Sequence, residues 1–219
     1  MSDIYTASAL ISFKDFMLLS VIGIAVVLFI IWFLKKKSNE NRLRTLQKLQ
    51  TFVAGRIETE EIKDPFASLP IFDKFTANVL HGELDKTKFT IKDTVEPYWS
   101  VLYGARRIWE ISMTSRYGVK IRITRKNIAP IPPFLDRIDT LVTGKPVFSE
   151  RIDELFIRSS NPKLARQFVE MNKTNLKELV RLASEIKLSN CELVFRTERN
   201  LSVKEFLEIL RKLSAVAMS

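Results

Sequence analysis

Trp109-Glu110-Ile111-Ser112-Met113, followed across Ser115-Arg116-Tyr117-Gly118 by Val119-Lys120-Ile121-Arg122-Ile123-Thr124, is the stretch that decides the fold class. Trp109, Ile111 and Met113 alternate with Glu110 and Ser112, and Val119, Ile121 and Ile123 alternate with Lys120, Arg122 and Thr124. Successive side chains of a strand point to opposite faces, so both segments read as strands with one buried face. The short glycine-containing link between them predicts a hairpin. Burying a large apolar side chain stabilises by roughly 1.5–3 kcal/mol, so a charge at Ile121 is expected to be far worse tolerated than one at Lys120.

Working outward, residues 76–84 and 87–94 read as two strands around an Asp85-Lys86 turn, with Phe89 and Ile91 alternating with Lys88, Thr90 and Lys92. Residues 56–62 form another strand candidate. Pro65 and Pro70 break the chain into loops, and Glu96-Pro97 opens a turn or short helix over 98–103. Pro130-Ile131-Pro132-Pro133 is a stiff extended connection, and 141–142 and 147–148 are short strand candidates. Residues 155–159 make a better strand. Ser160-Asn161-Pro162 then starts a helix to about 171, with Leu164, Ala165 and Phe168 inward. A second helix over 175–187 buries Leu176, Leu179, Val180, Ala183 and Ile186. Residues 192–196 form a strand, and the capping box Ser202-Val203-Lys204-Glu205 opens a last helix with Val203, Phe206, Leu207, Leu210 and Leu213 inward.

The run Glu154-Leu155-Phe156-Ile157-Arg158-Ser159-Ser160-Asn161-Pro162-Lys163-Leu164-Ala165-Arg166-Gln167-Phe168 resembles a strand-to-helix element of prokaryotic membrane-anchored domains of unknown function. The resemblance extends over residues 75–213. It implies an architecture, a β-rich segment followed by helices, and carries no catalytic residue.

Residues 16–34 are nineteen positions without a charge, bounded by Asp15 and by Lys35, Lys36 and Lys37. As a helix they rise roughly 28 Å, close to the ~30 Å of a bilayer core. Trp32 sits near one end, where interfacial aromatics belong. A signal peptide carries its positive charge ahead of the apolar core. Here Asp3, Lys14 and Asp15 precede the run, and Lys35, Lys36, Lys37, Arg42, Arg44, Lys48 and Arg56 follow it, against Glu40 alone. Cytoplasmic flanks carry the excess of Lys and Arg. The expectation is therefore a short extracytoplasmic N-terminus (1–15), a transmembrane helix (16–34), a basic juxtamembrane helix (35–54) and a cytoplasmic domain (55–219).

The net charge of the 219 residues is +10, of which +6 lies in 35–56. Basic residues beside a membrane attract anionic headgroups at about 1 kcal/mol each. Lys35, Lys36, Lys37, Arg42, Arg44 and Lys48 are thus candidate membrane-surface residues. Within 36–53, Leu43, Leu46, Leu49, Phe52 and Val53 fall near one helix face. Leu43, Leu46, Gln50 and Val53 fit a coiled-coil register as well as packing on the chain's own domain. A second basic group, Arg106, Arg107, Lys120, Arg122, Arg125 and Lys126 with Arg116, surrounds the central strands. It reads as a solvated strand face or as a surface for an anionic partner, lipid or acidic protein. Nucleic acid is not expected.

Several chemistries find no support. His81 is the single histidine, so a histidine-rich metal site is ruled out, and a structural role is favoured for it. Cys191 is the single cysteine, which rules out an intramolecular disulfide, and its apolar neighbours suggest a core thiol. Thr143-Gly144-Lys145 lacks the first glycine and the hydroxyl of a phosphate loop, since Asp139 and Pro146 stand there. The pairs Asp136/Asp139 and Asp153/Glu154 read as solvated loop charges. The sequence therefore points to an α+β protein: a single N-terminal transmembrane helix, then a cytoplasmic domain with an antiparallel β portion and C-terminal helices. No cofactor, metal or catalytic residue is expected. Its expected role is a non-enzymatic interaction or scaffold module that holds a protein partner, or assembles with itself, at the inner face of a membrane. Anionic-lipid or small-ligand binding by the β portion is the alternative, and an unrecognised enzyme using carboxylates or lysines is a further one.

Overall fold

The computed structural model describes residues 13–63, 74–96, 106–125 and 148–219. The loops at Pro65, Pro70 and 130–133, the turn at 98–103 and the strand at 141–142 lie outside the described residues. The chain divides into two compact units, 1–44 and 45–219.

Helix α1 (Phe13–Gln50) is unbroken over 38 residues. Its apolar part shows no inward stripe: Phe16, Leu18, Leu19, Val21, Ile24, Val27 and Phe29 are all exposed, on every side of the helix. Ser20 bonds its own helix, donating to the Phe16 carbonyl at 2.8 Å. The apolar stretch with described side chains ends at Ile30, because those of Ile31, Trp32 and Leu34 are not among the described ones. Among the described residues no helix is long and apolar enough to cross a membrane, so the expected transmembrane segment is not carried by them alone.

Among the described residues the second unit holds a nine-stranded antiparallel sheet: β1 (Ala54–Lys63), β2 (Lys74–Leu84), β3 (Thr87–Glu96), β4 (Arg106–Thr114), β5 (Ile121–Arg125), β6 (Phe148–Ile152), β7 (Leu155–Ser159), β8 (Glu185–Ser189) and β9 (Glu192–Thr197). Their spatial order is β1-β2-β3-β4-β9-β8-β5-β7-β6. Among the described residues three helices, α2 (Pro162–Met171), α3 (Lys173–Leu182) and α4 (Val203–Met218), accompany it. Leu80, Ile91, Ile111, Phe195, Ile123 and Ile157 share one core with Phe168, Leu179, Phe206 and Leu213 from the helices. Trp109 meets the Phe206 ring edge-on at 5.0 Å. The α+β class with a large antiparallel sheet and a C-terminal helix is therefore as expected.

The expected hairpin of 109–124 does not form. Both strands exist, but β4 pairs with β3 and β9, through Ile111↔Phe195 and Met113↔Leu193, while β5 pairs with β7 and β8. The β8–β9 hairpin is inserted between them. The link crosses its turn: the Ser115 N–H donates to the Cys191 carbonyl at 2.6 Å, and the Tyr117 ring packs on Phe168 at 5.0 Å. Alternation says which face of a strand is buried, not which strand lies beside it.

The helix expected over 175–187 stops at Leu182, and 185–189 is β8. Ile186 and Leu188 point inward while Lys187 is exposed, a two-residue period that a central strand imposes. In α2 the inward residues are Ala165, Phe168 and Val169, and Leu164 is half exposed. The capping box is present: Ser202 Oγ accepts from the Glu205 N–H, and the Glu205 carboxylate accepts from the Ser202 N–H at 2.8 Å. Leu46, Leu49 and Val53 belong to the core of the second unit, so two positions of the coiled-coil register are already used inside this chain.

Cys191 is exposed, contrary to a core thiol. It shares a two-residue turn with Asn190, both at positive φ (53° and 60°), as Asp85 and Lys86 do in the β2–β3 turn (50° and 66°). That turn type needs left-handed backbone at both positions, which strains a residue with a Cβ by roughly 1–2 kcal/mol. Cys191→Gly is expected to stabilise the protein by about 1 kcal/mol, read as a higher urea midpoint at constant slope.

Candidate interaction surfaces

The outer face of the sheet, opposite the helices, is built from the alternate residues of each strand. Its charges are answered in a ladder across the strands. Glu60 meets Lys92 at 2.7 Å, Arg196 holds Glu110 at 2.7 Å and reaches Glu185 at 3.5 Å, and Glu185 also pairs with Arg122. The Lys92 ammonium, donating a hydrogen bond, holds the Glu60 carboxyl below its ordinary value.

The basic group around the central strands does not converge. β4 and β5 stand three strand spacings apart, roughly 14 Å. Arg107 is tied to Asp93 at 2.5 Å and Arg122 to Glu185, while Lys120 and Arg125 are exposed. The side chain of Arg106 and the whole of Lys126 lie outside the described residues. Asp93, fully buried, escaped the sequence reading. A signal existed: in the alternation Phe89, Ile91, Asp93 the acid falls on the core side, and Arg107 falls there with Trp109 and Ile111.

Along α1, Lys36, Lys37, Arg44 and Lys48 are exposed, Arg42 is buried, and the Lys35 side chain is outside the described ones. Burial removes Arg42 from any membrane-facing set.

An open cleft of about 700 Å³ lies at one end of the sheet, bordered by His81, Glu83, Lys88, Thr114 and Glu192. His81 is exposed, with Nδ1 3.2 Å from Thr90 Oγ1. Among the described residues no cluster of three or more His, Cys, Asp or Glu side chains is placed to hold a metal ion.

Elsewhere the charges tie elements together. Asp153, in the β6–β7 turn, accepts from Lys177 at 2.8 Å and from Lys173 at 3.1 Å, which keeps its carboxyl below the ordinary value. Lys212 of α4 bridges Glu178 of α3 and Glu208. Glu205 is also held low, by the Ser202 backbone N–H first and its hydroxyl second. A depressed carboxyl stabilises the fold above its unfolded pKa and loses that contribution as pH falls through the folded value. Ser202→Ala is therefore expected to lower stability by about 1 kcal/mol at neutral pH. The difference from the parent should shrink as the pH is taken below 4.5, the ordinary value for Glu, followed by denaturant melts across that range.

No protein-family model matches the chain, and no curated protein matches it. Among solved structures, the crystal structure of the mycobacterial trehalose monomycolate transport factor A, TtfA, is similar at 14% identity and a TM-score of 0.47, over 73% of this chain and 86% of that one. At that level the likeness decides neither fold nor function here.

Proposed function

We propose that this chain is a single-pass, membrane-anchored, non-enzymatic module that holds a protein partner at the cytoplasmic face of a membrane. One observation carries the reading: the large apolar side chains of α1 from Phe16 to Ile30 are exposed all round the helix, as is Phe33. Leaving such side chains in water forgoes roughly 1.5–3 kcal/mol apiece, and a helix apolar on every face needs an apolar solvent. The sequence continues the run through Leu34, which restores nineteen residues and a bilayer's length. The excess of Lys35, Lys36 and Lys37 after the run supports a cytoplasmic location for the residues that follow it. The absence of catalytic motifs from the sequence supports an interaction role. Ligand binding by the sheet is the second reading, and the cleft beside His81 is the feature that favours it.

Alkaline extraction followed by protease treatment tests the anchored reading. The full chain should remain in the membrane pellet and resist protease added to sealed, right-side-out cells or spheroplasts. Release at high pH, or digestion of the domain from outside, would sink it.

A further inference from the structure

We infer that the free edge of β1 is a self-pairing surface: two copies of this chain join through residues 54–60 as antiparallel strands, with Ile57 opposite its twin. The inference goes beyond the interaction module above and depends on no membrane, because β1 lies wholly within the second unit. β1 ends the strand order, and among the described residues only β2 pairs with it. Ala54, Gly55, Arg56, Glu58, Thr59 and Glu60 are exposed and Ile57 is half-buried, so the chain's own fold leaves this stretch uncovered. An edge strand presents a row of backbone donors and acceptors to any second strand, and the usual guards are shortness, proline, bulges and lysine. β1 has ten residues, no proline, an uninterrupted one-to-one register with β2, and no lysine before Lys63. Gln50 Nε2 donates to the Gly55 carbonyl at 2.9 Å, which leaves that oxygen its second lone pair.

Charge selects the occupant and its register. Facing residues of an antiparallel pair share one backbone phase, so a two-fold axis between two β1 strands must pass through a residue and its own twin. Registers centred on Arg56, Glu58, Glu60 or Glu61 set two like charges face to face, and one centred on Thr59 sets Glu58 against Glu60 twice. Centred on Ile57, Arg56 meets Glu58 of the other copy twice, Thr59 meets Gly55, Glu60 meets Ala54, and Ile57 meets itself. Opposite charges facing across strands stabilise and like charges destabilise. Among the registers that pair at least half of β1, the Ile57 register alone is free of a like-charge contact. Within one chain Arg56 and Glu58 meet at 3.5 Å, yet the Arg56 side chain stays 83% exposed and can reach a second carboxylate. Ile57, which packs against the rim of the core, gains an apolar neighbour from its twin. A two-fold contact of this kind closes on itself as a dimer.

A disulfide trap tests this in the full chain, in cell extract with membranes included and in a Cys191→Ser background. Directly opposed Cα atoms lie about 4.5–5.5 Å apart, within reach of a disulfide. Ile57→Cys should therefore give a covalent dimer on mild oxidation. Thr59→Cys, on the same face but four residues from its twin (roughly 13 Å), should give about tenfold less. Arg56→Glu and Glu58→Arg, each added to Ile57→Cys, should each cut the dimer about tenfold. Co-expressed with distinct tags, those two chains should regain it as the mixed dimer, because opposite charges then face each other at both places. Both positions are exposed, so the fold should bear either change, and the comparison of Ile57 with Thr59 stands without them. Only monomer from the folded Ile57→Cys chain, equal trapping through Thr59→Cys, or a mixture no better than either charge variant alone would overturn the inference.

Discussion

Ile24→Arg combined with Val27→Arg is expected to move the full chain from the membrane pellet to the alkaline-soluble fraction. Both positions are exposed on α1, so neither change disturbs packing within the protein. Arginine forms helix well, so the backbone should survive. Each arginine near the centre of a spanning helix costs about 2.5–3.5 kcal/mol, and two together roughly 5–7 kcal/mol, enough to reverse insertion. The far-ultraviolet spectrum and urea midpoint of the released protein should match the parent, because the core of residues 45–219 is untouched. Retention of the doubly substituted chain in stripped membranes would show that something other than the apolar run holds it there.

Arg107→Ala should be among the most damaging single changes at a polar position of the sheet. Asp93 is fully buried on the core side of β3, and the Arg107 guanidinium lies 2.5 Å from its carboxylate. Removing one partner of a buried pair leaves a charge without its counter-ion, typically 3–5 kcal/mol of lost stability. Replacing both by apolar residues is much milder, because no charge then remains to be buried. The measurement is a set of denaturant melts on the parent, Arg107→Ala, and the double variant Asp93→Leu, Arg107→Met. A double variant as unstable as the single one would show that the pair is not what matters at this place. The same geometry explains why Arg107, a candidate for an anionic partner, is not available for one.

The strands were legible wherever one face is buried and the other wet. Phe89 and Ile91, Ile111 and Met113, and Leu193 and Phe195 all face the core as their alternation predicts. Helix starts were equally readable. The Asn161 side chain caps α2 by accepting from the Leu164 N–H at 3.2 Å, and Ser202 and Glu205 cap α4 as their spacing requires. Ile186 was misassigned because an apolar residue three places after Ala183 fits a helical face as well as a strand. Only the neighbours β5 and β9, bonded on both sides of β8, decide for the strand. Of the basic candidates, Arg107 and Arg122 could not be ranked in advance, since their partners Asp93 and Glu185 lie 14 and 63 residues away in sequence.

Local chemistry alone thus determined the α+β class, the apolar rod of 16–34 and the sign of the charge that follows it. Each depends only on side-chain type and on periods of 2 or 3.6 residues, which are properties of neighbouring positions. Strand order, the insertion of β8 and β9 between β4 and β5, the burial of Arg42 and the pairing of Arg107 with Asp93 and of the exposed Arg122 with Glu185 were decided by tertiary structure. The physical reason is that a strand's hydrogen bonds and a guanidinium's charge accept any geometrically suitable partner. The choice among partners is made by how the whole core closes.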